Sequence, residues 1–150
     1  MTVRIQTGDF DMGIELKLLR LANANVGAVV SFIGQVRDFN DDKAIQSLTL
    51  EHYPGMTEKA LTAIACDAKS RWNIIDSLII HRVGTLKPLD QIVLVAVTAA
   101  HRGEAFKACE FMMDFLKTNA PFWKKEETPT GAHWVDAKQT DDAATISWKT

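Results

Sequence analysis

The sequence has few of the features that mark secreted, membrane-spanning or redox-active proteins. Only two cysteines occur among its 150 residues, Cys66 and Cys109, and both fall within predicted helices among apolar neighbours. This setting is typical of reduced, buried thiols, so we expect no disulfide and a cytoplasmic protein. No apolar run reaches the roughly 18–20 residues that cross a bilayer. Residues 1–10 lack a basic start followed by an apolar core, which predicts no secretory signal.

An excess of positive charge is absent as well. The 17 lysines and arginines are outnumbered by 19 aspartates and glutamates, which gives a formal net charge of −2. Domains that bind nucleic acids are usually basic overall, so we expect no nucleic-acid partner. A local group of lysines within a slightly acidic chain instead indicates a site for a small anion.

Motifs for phosphate loops, metals and catalytic triads are also missing. The sequence has no glycine-rich dinucleotide loop, no Walker-type loop, no Cys-x-x-Cys pair and no local Ser-His-Asp arrangement. Its four histidines, His52, His81, His101 and His133, show no metal-ligand spacing with one another or with the cysteines. We therefore expect neither a metal site nor a bound cofactor.

What the chain does contain is an interleaved series of strand and helix patterns. Apolar runs predict strands at residues 3–7, 28–36, 47–53, 78–80 and 91–99, and a hairpin formed by 123–128 and 133–137. Helical spacing predicts helices at residues 12–24, 58–72 and 102–118. Because there is no strict βαβ repeat and no linker, we predict a single domain over residues 1–150 of the α+β (mixed α/β) class. Residues 138–150 have weak periodicity and are predicted to form a loosely held tail.

Three local details follow from the same patterns. Asp11 is the predicted N-cap of the first helix, in which Ile14, Leu18 and Leu21 form an apolar stripe that Leu16 and Leu19 join. Thr57 is the predicted N-cap of the second helix. Gly34, inside a predicted strand, indicates a bulge or a close backbone approach.

The most distinctive stretch is residues 116–126, LKTNAPFWKKE. Lys117 closes a predicted helix, and Pro121 cannot continue it, so the kink brings Lys117 close to Lys124 on the following strand. Strand alternation places Lys124 on one face with Phe122 and Glu126, while Trp123 and Lys125 face the other way. Two neighbouring ammonium groups repel each other unless an anion or water lies between them. The stretch is therefore either an anion-binding corner or a solvated turn.

Two other places carry cations that could serve such a corner. His101 and Arg102 stand at a strand-to-helix junction, where the unpaired N–H groups of a helix start favour anions. An ordinary helix start prefers acidic residues in its first turn, so these two residues indicate either an anion site or a plain surface. Arg37 ends a predicted strand and begins a polar loop, and its relevance depends on whether the fold brings it near the lysines.

Five blocks of sequence together resemble the large, catalytic subunit of molybdopterin synthase. They are VSFIGQVR at 30–37, LEHYPGMT at 50–57, HRVG at 81–84, AHR at 100–102 and LKTNAPFWKKE at 116–126. The resemblance spans roughly residues 25–138 in the expected order, and its HYPGM and PFWK segments are specific.

The resemblance implies an enzyme that transfers sulfur. In that family a small ubiquitin-like partner carries sulfur as a thiocarboxylate on its C-terminal Gly-Gly tail. The acceptor is cyclic pyranopterin monophosphate, on which the dithiolene of molybdopterin is formed. The large subunits make a homodimer with one small subunit at each end, a heterotetramer. The implied fold is an α/β hammerhead with an additional antiparallel β-sheet.

The resemblance also implies roles for individual residues. Lys117 and Lys124 would be catalytic, stabilising the attacking and leaving groups, with one acting as general acid or base, and Glu126 would orient Lys124 or handle a proton. Substrate-binding roles are implied for Arg37, His101, Arg102, Lys125, Lys138, Phe32 and Met113. His101 and Arg102 would reach across the dimer interface, whereas the apolar Phe32 and Met113 also suit a core. Lys138 stands where arginine is expected, which implies a single-point phosphate contact in place of a forked one.

Two other functions remain open on the sequence. A non-catalytic adaptor would dock the ubiquitin-like tail and make no product from the precursor. A sulfurtransferase would use a persulfide on Cys66 or Cys109, but a thiocarboxylate is already a good nucleophile and requires no enzyme cysteine.

Overall fold

The computed structural model describes residues 1–40, 43–44, 46–135 and 139–149. The elements are, in chain order, β1 (Thr2–Gln6), α1 (Met12–Leu21), β2 (Ala28–Gln35), β3 (Phe39–Asn40), β4 (Lys43–Ala44), β5 (Ser47–His52), α2 (Met56–Arg71), β6 (Ile74–Arg82), β7 (Gly84–Leu86), β8 (Gln91–Ala99), α3 (Arg102–Asn119), β9 (Phe122–Thr128), β10 (Gly131–Val135) and α4 (Gln139–Ile146). The predicted mixed α+β class is confirmed. None of the helices in the described ranges is long and apolar enough to span a membrane.

The first sheet has the strand order β1-β6-β8-β2. β1 runs parallel to β6, whereas β8 is antiparallel to both of its neighbours, β6 and β2. Helices α2 and α3 pack on one face of this sheet, and Leu16 and Leu19 of α1 pack near the other face. Because both faces are covered, β8 is apolar along nearly its whole length and is buried from Val93 to Ala99.

The second sheet is antiparallel, with the strand order β10-β9-β5-β7. Its inner face carries Leu48, Leu50 and Leu86, which form a small core with Val36. Ile92 at the start of β8 packs against this core and also against the main one, so it lies where the two sheets meet. Strand β7 was not predicted, and β3 and β4 form a separate two-stranded ribbon.

Helix α1 confirms the predicted N-cap and part of the predicted apolar stripe. Asp11 accepts a hydrogen bond from the backbone N–H of Ile14 at 3.1 Å, as expected of an N-cap. Of the stripe, Leu16 and Leu19 pack toward the sheet. Its other members, Ile14, Leu18 and Leu21, face solvent and are 59%, 65% and 62% exposed.

The start of α2 also differs from the prediction. Gly55, with a φ of 84°, occupies the N-cap position, and glycine adopts this left-handed conformation readily. Thr57 is buried in the first turn, where its hydroxyl accepts a hydrogen bond from the Tyr53 N–H at 2.9 Å. The same hydroxyl donates to the carbonyl of Pro121 at 3.0 Å. Thr57 therefore ties α2 to the corner between α3 and β9.

The tail that was expected to be loosely held forms helix α4 and packs on α3. Trp148 donates from Nε1 to the Asp114 carboxylate at 2.6 Å, and its ring packs edge-on against Trp72 and Phe111. The Thr145 and Thr118 hydroxyls are 2.8 Å apart. These contacts come from residues far away in the sequence, which is why local periodicity did not reveal the helix.

Candidate functional site

A cavity of about 410 Å³ lies where the second half of β2, the start of β8, the end of α3 and strands β5 and β9 come together. Its floor is apolar and includes Leu48, Leu50 and Ile92. Its polar lining consists of Gln35, Arg37, His81, Lys117, Lys124, Glu126 and Asp141. Three cationic side chains from separate segments, Arg37, Lys117 and Lys124, thus line one concavity of the size usual for small-molecule sites.

The two lysines of the 116–126 stretch meet in this cavity. Lys117 is in the last turn of α3, which ends at Asn119 because Ala120 is extended and Pro121 follows. Lys124 lies on β9, paired in register with Leu50 of β5 and Val135 of β10. Of the two alternatives that the sequence left open, this arrangement favours the anion-binding corner over a solvated turn.

His81, near the end of β6, packs against the corner that carries the two lysines. Its ring stacks on Phe122 with a centroid distance of 3.8 Å and an interplanar angle of 16°. Its Nδ1 lies 2.8 Å from the Arg82 carbonyl oxygen. Together with the bond from Thr57 to Pro121, this stacking fixes the chain direction between the two lysines.

His81 also reports the electrostatics of the cavity. The pKa of His81 is lowered from 6.5 to about 4, chiefly by burial. The hydrogen bond to the Arg82 carbonyl acts in the opposite direction, and Lys117, Lys124 and His52 add smaller electrostatic contributions that lower the pKa. The imidazole is therefore uncharged at neutral pH. Burial disfavours charge of either sign, whereas the charges of Lys117 and Lys124 specifically favour negative charge in the cavity.

The predicted alternation along β9 is confirmed. Lys124 and Glu126 line the cavity with Phe122, and Glu126 is only 7% exposed. Lys125 lies on the opposite face of the sheet, where its Nζ is 5.9 Å from the centroid of the Trp134 ring. The structure therefore does not bring Lys125, a predicted substrate-binding residue, to the cavity.

Of the predicted site residues on and near β2 and α3, some line the cavity and one does not. Phe32, which is 40% exposed, and Arg37 both line the cavity, and the register shift between Gly34 and Gln35 confirms the bulge predicted there. Met113 was expected either to contact substrate or to lie in the core. It is 8% exposed and belongs to the main core.

His101 and Arg102 lie far from the lysines of the same chain. His101 is the N-cap of α3 and Arg102 is its first residue, and both are exposed. Fifteen residues at about 1.5 Å each separate Arg102 from Lys117, a span of about 22 Å along the helix. A single chain therefore cannot place all these cations on one small anion. Lys138, the remaining predicted site residue, lies outside the described residues.

Comparison with known proteins finds relatives over nearly the whole chain. A family model described as MoaE protein matches residues 5–119. The chain belongs to the MoaE family. It is 60% identical over 147 residues to the molybdopterin synthase catalytic subunit of Ralstonia nicotianae. This alignment covers 98% of this chain and 84% of the relative. The family resemblance stated from the sequence is confirmed.

Solved MoaE structures have the same fold. The molybdopterin biosynthesis MoaE protein of Burkholderia ambifaria superposes with a TM-score of 0.86 at 58% identity, covering 99% of this chain and 98% of that one. A molybdopterin synthase structure from Staphylococcus aureus gives a TM-score of 0.80 at 32% identity, covering 89% and 96%.

Neither cysteine of this MoaE chain lines the cavity. Cys109 is buried as predicted, and burial, with a smaller contribution from the negative charge of Glu110, raises the pKa of its thiol to about 11. The prediction that Cys66 is buried is wrong, because this residue is exposed on α2. The buried positions of that helix, such as Leu61, Ala65 and Ala68, follow a spacing from which residue 66 is excluded, and this signal was present in the sequence.

No group of three or more His, Cys, Asp and Glu side chains suited to a metal ion occurs in the described part of the chain.

Sequence reasoning missed three polar residues of the cavity lining, Gln35, His81 and Asp141, of which His81 is the most deeply buried. Its position at the end of an apolar strand was recognised, but a histidine after the run LII gives no sign of what it packs against. The stacking partner, Phe122, is 41 positions away in the chain and reaches His81 only through the junction of the two sheets.

Proposed function

We propose that this molybdopterin synthase catalytic subunit carries out sulfur transfer in the cavity between Lys117 and Lys124. The donor would be the C-terminal thiocarboxylate of a small ubiquitin-like partner, and the acceptor would be cyclic pyranopterin monophosphate. The observation that carries the proposal is the convergence of these two lysines, from a helix end and a separate strand, on one cavity.

The chemistry requires such a convergence. The thiocarboxylate and the substrate phosphate are both anions, and their approach is unfavourable unless cations neutralise them. Ammonium groups gathered around a partly apolar cavity stabilise charge on the attacking sulfur and on the leaving group. One lysine would also exchange a proton with the reacting groups, and the buried Glu126 on the same face would orient Lys124 or handle that proton.

The substrate would be held by groups at the rim of the cavity. Arg37 offers a planar guanidinium suited to a phosphate, and Phe32 offers an aromatic surface for the pterin ring. No cysteine is required, because the sulfur arrives already activated on the partner. We further propose that the reaction takes place in the cytoplasm and that two copies of this chain form the centre of a heterotetramer with two small subunits.

The main test is product formation by lysine variants, with thiocarboxylated partner and precursor supplied. Lys117→Ala and Lys124→Ala should each lower the rate by about 10²-fold or more, since removing one electrostatic donor of this kind typically costs that much. Lys107→Ala is the matched control, because Lys107 is an exposed lysine on the same helix as Lys117. Near-normal turnover in both cavity variants would contradict the proposal. Product is detected by mass spectrometry. If the wild type binds the partner tightly but forms no product, the adaptor function would be supported instead.

A second test addresses His101 and Arg102, which we propose complete the cavity of a neighbouring copy. In a mixture of inactive Lys117→Ala and Arg102→Ala chains, each mixed dimer would contain one cavity with both residues intact. With equal amounts and random pairing, activity should recover to about a quarter of the wild-type value. If all the residues act within one chain, every cavity stays defective and the mixture remains inactive.

A further inference from the structure

His81 is held in one orientation by two contacts that involve different parts of its ring. The ring face is stacked on Phe122, and Nδ1 is 2.8 Å from the carbonyl oxygen of Arg82. The residue is only 5% exposed and still contributes to the cavity lining. An imidazole fixed in this way has little freedom to change its orientation.

These contacts also determine which ring nitrogen carries the hydrogen. A carbonyl oxygen can only accept a hydrogen bond, so Nδ1 must donate to it. In an uncharged imidazole the other nitrogen, Nε2, is then an acceptor. The assignment follows from the hydrogen-bond partner, as tautomer assignments ordinarily do.

An acceptor of this kind is useful beside Lys117. The Lys117 side chain is exposed at the end of α3, and none of the described residues forms an ion pair or hydrogen bond with its ammonium group. An anion entering the cavity would draw this ammonium inward on its flexible stem. The anion occupies one or two of its three N–H donors, and the remaining donor needs an acceptor once water is displaced.

We propose that His81 is a positioning residue, whose Nε2 accepts a hydrogen bond from the Lys117 ammonium when an anion occupies the cavity. The inference rests on the proposed sulfur transfer and gives His81 no direct contact with the reacting atoms. The uncharged ring suits this role because a cationic side chain at the same place would repel the ammonium. The charged or titratable groups that surround it are Arg37, His52, Lys117, Lys124, Glu126 and Asp141.

Two substitutions separate this role from simple structural support. His81→Gln retains an acceptor at about the distance of Nε2, whereas His81→Asn retains only a donor near the position of Nδ1. We expect the Asn variant to lower kcat about tenfold with little change in KM, and the Gln variant to stay within about threefold of wild type. His133→Asn, at an exposed position on β10, is the control and should have no effect. Equal losses in the Gln and Asn variants, normal kcat in both, or a loss confined to KM would overturn the proposal.

A spectroscopic measurement tests the same contact without turnover, so it holds even if the proposed reaction is incorrect. Imidazole ¹⁵N NMR at about pH 7 should show His81 protonated at Nδ1 and not at Nε2. Adding inorganic phosphate should shift the Nε2 resonance in the wild type and in Lys107→Ala, but not in Lys117→Ala. A protonated Nε2, a shift that persists in Lys117→Ala, or no shift in the wild type would overturn the inference. Near-normal product formation in Lys117→Ala and Lys124→Ala, with this NMR result intact, would overturn the proposed sulfur transfer and leave the contact between His81 and Lys117 established.

Discussion

Lowering the pH should destabilise the folded chain through His81 by a predictable amount. The pKa of His81 is about 4 in the folded state, against 6.5 for an unperturbed histidine, chiefly because the ring is buried. Between these values the unfolded chain binds a proton that the folded chain does not, so the free energy of unfolding falls as the pH falls. The contribution is fully present above about pH 6.5 and is lost as the pH approaches 4. At about 1.4 kcal/mol per pKa unit, the loss amounts to about 3 kcal/mol.

The measurement compares urea unfolding of the wild type and His81→Phe at about pH 7 and pH 4, at one protein concentration. Phenylalanine can keep the stack on Phe122 but has no proton to gain. Carboxylates that titrate over the same range affect both proteins, so their contribution cancels in the difference. We expect the wild type to lose about 3 kcal/mol more than the variant. Parallel losses in the two proteins would show that His81 titrates normally and would refute the reasoning.

Three further predictions concern contacts that support the fold. Gly27→Ala should destabilise the protein by about 2 kcal/mol or more in urea unfolding, because the added Cβ would lie 2.3 Å from the Ala100 carbonyl oxygen. Gly103→Ala, where nothing lies within 4 Å, should be neutral or slightly stabilising, and equal effects at the two glycines would contradict the packing argument. Thr57→Val should cost about 1–3 kcal/mol, since two partly buried backbone groups lose their partner; an unchanged urea midpoint would exclude this role. Trp148→Phe should make the C-terminal residues more sensitive to limited proteolysis, because its 2.6 Å hydrogen bond is lost, whereas an unchanged cleavage rate would show that ring packing alone holds α4.

The parts of the fold that the sequence predicted well are those governed by local patterns. The bounds of β8 (Gln91–Ala99) agree with the prediction because a continuous apolar run requires cover on both faces. Helix α3 ends within one residue of its predicted position, since Pro121 prevents its continuation. The same local logic located Lys117 and Lys124, and alternation placed Lys124 and Glu126 on one face of β9.

The parts that were not predicted depend on contacts between distant segments. Strand β7 has three residues and exists through its pairing with β5, for which no local pattern provides a signal. Helix α4 is stabilised by Trp148 packing against residues on α2 and α3. The role of His81 depends on a ring contact with Phe122 across the junction of the two sheets. Each of these features depends on tertiary contacts, which secondary-structure propensity and hydrophobic periodicity do not reveal.

Helix α3 has a consequence for how activity would respond to dilution. It holds Lys117 and Arg102 about 22 Å apart, at opposite ends of a rigid rod. A cavity that draws cations from both ends of this rod needs two helices, and so exists only while two chains remain associated. For the proposed dimer, the rate per chain would fall as the protein is diluted through the dimer dissociation constant, and recover on concentration. An enzyme that relied on its own Lys117 and Lys124 alone would keep the same specific rate at every dilution.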